Sequence, residues 1–489
     1  MKFSLKSNDI LSSTADTVVL LRYENNIKDE TIKKVNTKLK DFLFDKIKSH
    51  KFDGQFGKIL TLDSVYSYKF KNILIVGLGK KVKLNSMEAF RIGNIIAKNT
   101  KGSSKSVAIE YTNLPGESLG LILEGIILGA YEYNQFKTVN QNKNEIEELI
   151  FYSKKISSSF FNSKVNSAKI ISSSICFSRD LVNDPPNILT PEILADHALS
   201  LAKNSDALDC KIYDEKDMAE MGMGALRAVS FGSDKPPRFI HLSYNPKNKT
   251  RKKIAIVGKG ITFDSGGLCI KPADSMRTMK MDMAGAAAVL GVMKAIGEIK
   301  PNVSVHGLIP ASENMTGGSA YKPDDVVKAS NGKTIEIINT DAEGRLALSD
   351  ALSYAVKNKM TEIIDLATLT GACIVGLGAY TAGVIGNNQK LINSVLDSAG
   401  RSGEKMWQLP LDEELKDEIK SNIADMKNSG SRWGGAITAA LFLENFVSEI
   451  PWVHIDIAGP AYIEKPNDWY PYGATGFGVK TVLDYLTSK

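Results

Sequence analysis

Two short segments concentrate side chains of the kind that do chemistry. The first runs Gly258-Lys259-Gly260-Ile261-Thr262-Phe263-Asp264-Ser265-Gly266-Gly267, then Ile270-Lys271-Pro272, then Met279-Lys280-Met281-Asp282-Met283. The second is Asn339-Thr340-Asp341-Ala342-Glu343-Gly344-Arg345-Leu346. Both follow strand candidates and are expected to open into glycine-rich turns before helices. In an open α/β sheet, that carboxyl-end crevice is where ligands bind. Asp264, Asp282, Asp341 and Glu343 offer oxygen ligands, which suit Mg²⁺ and Mn²⁺ and are tolerated by Zn²⁺. Packed together they would repel, and two dications would neutralise all four. The plain alternative is that these are ordinary solvated loop acids.

Other chemistries lack their marks. Two strand candidates are followed by GxG, but the third glycine of a dinucleotide fingerprint is replaced by Val82 in one and Phe263 in the other. No GxxxxGK[ST] phosphate loop and no GxSxG nucleophile elbow occurs. The histidines, His50, His197, His241, His306 and His454, form no HExxH pair and read as packed or surface residues. Cys176, Cys210, Cys269 and Cys373 form no CxxC pair, which fits reduced thiols in a cytoplasmic protein.

The elements that must position these residues read as α/β. The 489 residues, 43% of them hydrophobic, are enough for two or three packed domains. Strands are expected at Asp16–Leu21, Lys71–Val76 and Ser106–Tyr111, with helices at Met87–Lys98 and Leu119–Ala130. A polar stretch, Lys137–Glu148, and a serine-rich segment, Ser157–Ser174, follow. The second is expected to be helical until Asp184-Pro185-Pro186-Asn187 stops it. Beyond it, strands are expected at Lys253–Val257, Val303–Ile309, Glu362–Leu366 and Trp452–Ile457. Helices are expected at Ala284–Ile296, Leu346–Lys357 and Thr438–Val447. The reading is a smaller N-terminal α/β domain (1–165), a linker helix (166–185) and a larger C-terminal catalytic domain with a mixed sheet (186–489).

The composition limits partners. A balance of 61 basic and 55 acidic residues is too even to argue for nucleic acid or a membrane surface. Leu119–Tyr131 contains Glu124 and falls short of the roughly 20 residues of a membrane span. MKFSLKSNDILSS lacks the apolar core of a secretory signal, so a cytoplasmic location is expected.

The strings GKGITFDSGGLCIKP, MKMDMAGAAAV and NTDAEGRL together resemble the leucyl aminopeptidase family of two-metal peptidases. The likeness extends to Arg179–Asn183 with Pro185-Pro186-Asn187, to Ile437–Ala440, to His454–Gly459 and to Ala474–Gly476, in the family's order. It implies that Lys259, Asp264, Asp282 and Glu343 hold one metal, and that Asp264, Asp341 and Glu343 hold the other. It further implies Lys271 and Arg345 as catalytic residues, with a bicarbonate at Arg345. Met279, Thr368, Gly371 and Ala458 would line the pocket for the first side chain. The family's reaction is the attack of a metal-bridging water on a peptide with a free N-terminus, leucine and other apolar residues being preferred. A homohexamer is implied as well. Oxygen-dominated ligation admits Mn²⁺, Zn²⁺, Mg²⁺ or Co²⁺.

Two rivals remain at this stage. A carboxylate two-metal site also suits a phosphatase or nuclease, although the phosphate-cradling loop is missing. Some bacterial members of the family bind DNA. Here the lysines of the N-terminal region (Lys33, Lys34, Lys38, Lys40, Lys46, Lys48, Lys51) are interrupted by Asp29, Glu30, Asp41 and Asp45, as on a solvated helix face.

Overall fold

The alternation of β-branched runs and apolar helical stretches becomes two α/β units in the computed structural model, which describes all residues but 82–83, 113, 140–144, 249 and 468. One unit is Met1–Ser172 with Pro466–Pro471; the other is Ser173–Lys465 with Tyr472–Lys489. Among the described residues, no helix is long and apolar enough to cross a membrane.

The first unit contains β1 (Lys2–Lys6), β2 (Thr17–Arg22), β3 (Ile59–Leu62), β4 (Asn72–Gly77), β5 (Ser106–Glu110) and β6 (Glu148–Tyr152). Their order is β1-β6-β5-β2-β4-β3, parallel except for β3. Successive residues of β2 face opposite ways, as a pleated strand requires. Val18 and Leu20 pack with Ile32, Val35, Leu43 and Ile47 of α1 (Glu30–Lys38) and α2 (Phe42–Ser49). Val19 and Leu21 pack with Ile92, Ile96, Ile122 and Ile126 of α3 (Ser86–Thr100) and α4 (Ser118–Gly129). Lys33, Lys34, Lys38 and Lys48 lie exposed on the outer side of α1 and α2. Sequence reading missed β3, a four-residue strand exposed at alternate positions. It also missed β6, whose first residue ends the polar stretch Lys137–Glu148; residues 140–144 of that stretch lie outside the described residues. The serine-rich segment forms α5 (Ser158–Asn183), which starts earlier than the expected linker and stops just before Asp184-Pro185-Pro186.

The second unit holds a nine-stranded mixed sheet. Its strands are β7 (Leu208–Tyr213), β8 (Arg238–Tyr244), β9 (Lys253–Gly258), β10 (Gly260–Asp264), β11 (Ser304–Asn314), β12 (Glu362–Ala367), β13 (Ala382–Gly386), β14 (Met406–Gln408) and β15 (Trp452–Asp456). The order is β14-β13-β15-β12-β9-β11-β8-β7, with β10 alongside β11. The centre, β15-β12-β9-β11-β10, is parallel, so its carboxyl ends lie along one edge. Ala255 and Val257 of β9 pack with Leu346, Ala347 and Ala351 of α7 (Glu343–Lys357). The intervening Ile254 and Ile256 face the other side, where α6 (Ala284–Ile299) packs against β9, β11 and β12. α6 is apolar around most of its circumference, the pattern of a buried helix.

A polar chain crosses the β8–β11 pair. Ser304 Oγ lies 2.7 Å from Asn245 Oδ1 and donates to it, so it accepts from His306 Nε2 at 3.1 Å. His306 Nδ1 then accepts from His241 Nε2 at 2.9 Å, and His241 Nδ1 accepts from Tyr354 Oη at 3.1 Å. The chain is complete with both rings neutral. Burial lowers both histidines to about 4, helped by the neighbouring His306 and Lys211 for His241 and by Lys253 for His306. Unfolded, each titrates near 6.5, so the unfolded chain takes up more protons between pH 6.5 and 4. Stability from this pair is therefore complete above pH 6.5 and lost as pH falls toward 4. His306→Gln should flatten the acid limb of a melting-temperature profile in that window, by on the order of 1–3 kcal/mol. A limb as steep as the parent's would show that the pair contributes nothing there.

Candidate active site

The charged residues singled out from sequence come from separate elements and meet at the carboxyl ends of the parallel strands. Lys259 alone separates β9 from β10; its N–H donates to Leu366 O, and its carbonyl accepts from Ala286 N. Asp264 ends β10, Asp282 lies in a 3-10 turn (Met279–Met283) ahead of α6, and Glu343 begins α7. Asp341 lies in the turn before α7, and Thr368 directly follows β12. Gly260–Asp264 is a strand that sequence reading did not assign. Ile261 and Phe263 take parallel partners on β11, and the glycine-rich turn begins at Ser265.

Two ammonium groups bind four carboxylates. Lys259 Nζ is 2.8 Å from Asp282 Oδ2 and 2.8 Å from Glu343 Oε1, and it donates to Thr368 O at 3.0 Å. Lys271 Nζ is 2.8 Å from Asp264 Oδ2 and 2.6 Å from Asp341 Oδ1. Thr368 Oγ1 donates to Asp282 Oδ1 at 2.7 Å. Asp264, Asp341 and Glu343 each present an oxygen within 4.8 Å of the other two. Gly344 keeps room for the lysine: a Cβ there would stand 2.5 Å from Lys259 Cε.

The electrostatics are those of excess negative charge out of water. Burial, with the neighbouring carboxylates, raises Asp264, Asp282 and Asp341 above the ordinary aspartate value. Burial opposes both ammonium charges, but the surrounding carboxylates outweigh it and hold Lys259 and Lys271 above the ordinary lysine value. The neutral amine expected of a metal ligand is thus not what the carboxylates favour by themselves. Among the described residues, buried Glu343 Oε2 has no hydrogen-bond partner. Oxygen donors, uncompensated charge and this unpartnered carboxylate oxygen all fit bound dications.

Arg345 follows on α7, 8% exposed, and its Nη1 donates to Asn428 O at 2.9 Å. Burial lowers it to about 10 against the pull of Glu343 and Asp456, so it stays charged at neutral pH. Nε has no hydrogen-bond partner among the described residues, leaving a donor for an anion. Of the pocket candidates, Thr368 touches the charged cluster directly. Gly371 opens a short helix, α8 (Gly371–Leu377), and Ala458 lies beyond β15. Asp456 ties their segments together: its carboxylate accepts from Leu369 N, Thr370 Oγ1 and Ala458 N. Met279 stands apart, half-buried at the head of the 3-10 turn.

Sequence reading missed the supports. Asn428 Oδ1 accepts from Ile338 N and Asn339 N, and its Nδ2 donates to Asn339 O, while its own carbonyl receives Arg345. Asn314 and Tyr321 both donate to Thr340 O. Only Asp456 had a signal, as part of the quoted string His454–Gly459. A lone asparagine or tyrosine far along the chain has none.

The whole chain resembles known proteins. The cytosol aminopeptidase family's catalytic-domain profile matches residues 176–483, and its N-terminal-domain profile matches 18–140. A probable cytosol aminopeptidase of Sulfurihydrogenibium sp. (strain YO3AOP1) is 46% identical, covering 100% of this chain and 98% of the relative. One from Aquifex aeolicus (strain VF5) is 48% identical, covering 89% and 88%. Among solved structures, a tomato leucine aminopeptidase mutant superposes with a TM-score of 0.92 at 36% identity, covering 100% of this chain and 97% of that one. The bottromycin maturation enzyme BotP in complex with Mn gives 0.86 at 32% identity, covering 97% and 99%. The fold, the meeting of those motifs at the strand ends and these likenesses agree: the chain belongs to the cytosol aminopeptidase family and is a metal-dependent aminopeptidase acting on peptides.

Proposed function

We propose that this enzyme releases N-terminal residues from unblocked peptides, preferring leucine and other apolar side chains, with two dications held by Lys259, Asp264, Asp282, Asp341 and Glu343. The observation that carries the reading is the set of four carboxylates, three of them buried, against two ammonium groups. Lys259, Asp264, Asp282 and Glu343 would serve one ion, and Asp264, Asp341 and Glu343 the other; Mn²⁺ or Zn²⁺ is our choice, with Mg²⁺ and Co²⁺ admissible. When bound, such a pair polarises the scissile carbonyl and makes water nucleophilic at neutral pH.

This chain's residues do the rest. Lys271 keeps its proton and stabilises the negative charge that develops on the carbonyl oxygen. Arg345 anchors a bicarbonate as a fixed cation; it is too basic to take the proton itself. An acidic site also favours a charged amino terminus over a blocked one. Met279, Thr368, Gly371 and Ala458 line the pocket for the first side chain. Family membership and the relatives' name, cytosol aminopeptidase, support a cytoplasmic homohexamer, and large apolar side chains such as Ile270, Val375 and Trp433 are exposed.

Purified, metal-loaded enzyme should cleave free leucyl peptides and ignore their N-acetylated forms, and equal rates on both would end the aminopeptidase reading. Lys271→Ala should bind the metals normally yet turn over roughly 100–1,000-fold more slowly; an unchanged kcat would remove Lys271 from the mechanism.

Gly344→Ala tests the place of Lys259. The added Cβ would push the Lys259 side chain off Asp282 and Glu343. Metal affinity and activity should fall together, and thermal stability with them, because a buried ammonium loses its partners. Parent-like metal affinity would show that Lys259 is not a ligand.

Multi-angle light scattering at micromolar concentration should give six times the 53.3 kDa chain mass. A mass near that of one chain would rule out the hexamer.

A further inference from the structure

We infer that Asn314 is a positioning residue that sets the Asp264 carboxylate and locks the Asp264 loop to the Asp341 loop; this rests on the two-metal reading above. Asn314 is the last residue of β11 and is completely buried. Its Nδ2 donates to Asp264 Oδ1 at 2.8 Å and to Thr340 O at 3.0 Å. Thr340 immediately precedes Asp341, so one amide nitrogen spans the two segments that supply shared ligands. Only the nitrogen end can face two acceptors, which settles the amide's orientation and excludes Asp at this position. Its backbone holds the same place: Asn314 O accepts from Ser265 N at 3.0 Å and from Ser265 Oγ at 2.8 Å.

Further bonds run between the same two segments. Thr340 Oγ1 donates to Gly266 O at 2.6 Å and accepts from Cys269 N at 2.8 Å. Gly267, at φ +64°, closes over the amide: a Cβ there would stand 2.9 Å from Asn314 Oδ1 and 3.0 Å from Thr340 Oγ1. Tyr321 Oη also donates to Thr340 O, at 2.7 Å. Outer partners that fix a ligating carboxylate set metal affinity as well as rate.

The test compares Asn314→Leu, close in shape but without donors, with Asn314→Ala and the parent. Manganese affinity is measured by chelator competition on folded protein, and kcat and KM at saturating metal. Both Asn314 variants should keep the parent's circular dichroism, bind Mn²⁺ about 10–100-fold more weakly, and lose kcat with little change in KM. A folded Asn314→Leu with parent-like Mn²⁺ affinity and kcat would overturn the proposal. Failure of both Asn314 variants to fold would overturn it too, because the residue would then be holding the fold. A parent enzyme that binds no metal, or a Glu343→Ala variant that binds it as well as the parent, would sink the two-metal reading itself; Asn314 variants equal to a metal-binding parent would sink only this inference.

Discussion

Four carboxylates gathered in a largely buried space repel one another, and the catalytic unit is arranged around that constraint. Among the described residues, Asp264, Asp282, Asp341 and Glu343 have only two ammonium groups between them, those of Lys259 and Lys271. The upward shifts of the three aspartates record the imbalance. A protonated Lys259 is a partial remedy that the chain carries with it. Dications are a fuller one, and binding them requires the lysine to give up its proton.

Repelling groups stay together only on a frame that cannot relax. Here the frame is the carboxyl edge of the parallel strands β9, β10, β11 and β12, with Lys259 fixed by main-chain bonds on both sides. α6 and α7 press on the same strands; the 3-10 turn ahead of α6 carries Asp282 to the edge, and the first turn of α7 carries Glu343. A carboxylate at the start of α7 also meets the positive end of the helix dipole, which offsets part of its burial. Between the charged residues, neutral groups set the aim: Thr368 on Asp282, Asn314 on Asp264, Asn428 under Arg345. These make directed bonds without adding charge, which a site already overcharged needs.

The sequence by itself determined many of the elements and the family to which the chain belongs. Runs such as Lys253–Val257 and Glu362–Leu366 are apolar enough to be buried strands wherever they land, and Ala284–Ile296 can only be a buried helix. NTDAEGRL and its companion strings were legible because their unusual order of charged residues marks a family. Tertiary structure decided what local patterns cannot encode. Gly260–Asp264 became a strand only because β11 offers it a parallel partner. β3 and β6 are too short, or too close to polar sequence, to declare themselves before their neighbours are in place. Asn314, Tyr321, Asn428 and Asp456 owe their significance to atoms between 19 and 90 positions away in the chain. Hydrophobic period is a property of neighbouring residues and survives in one dimension; a hydrogen bond that aims a carboxylate exists only once the strands have brought both ends together.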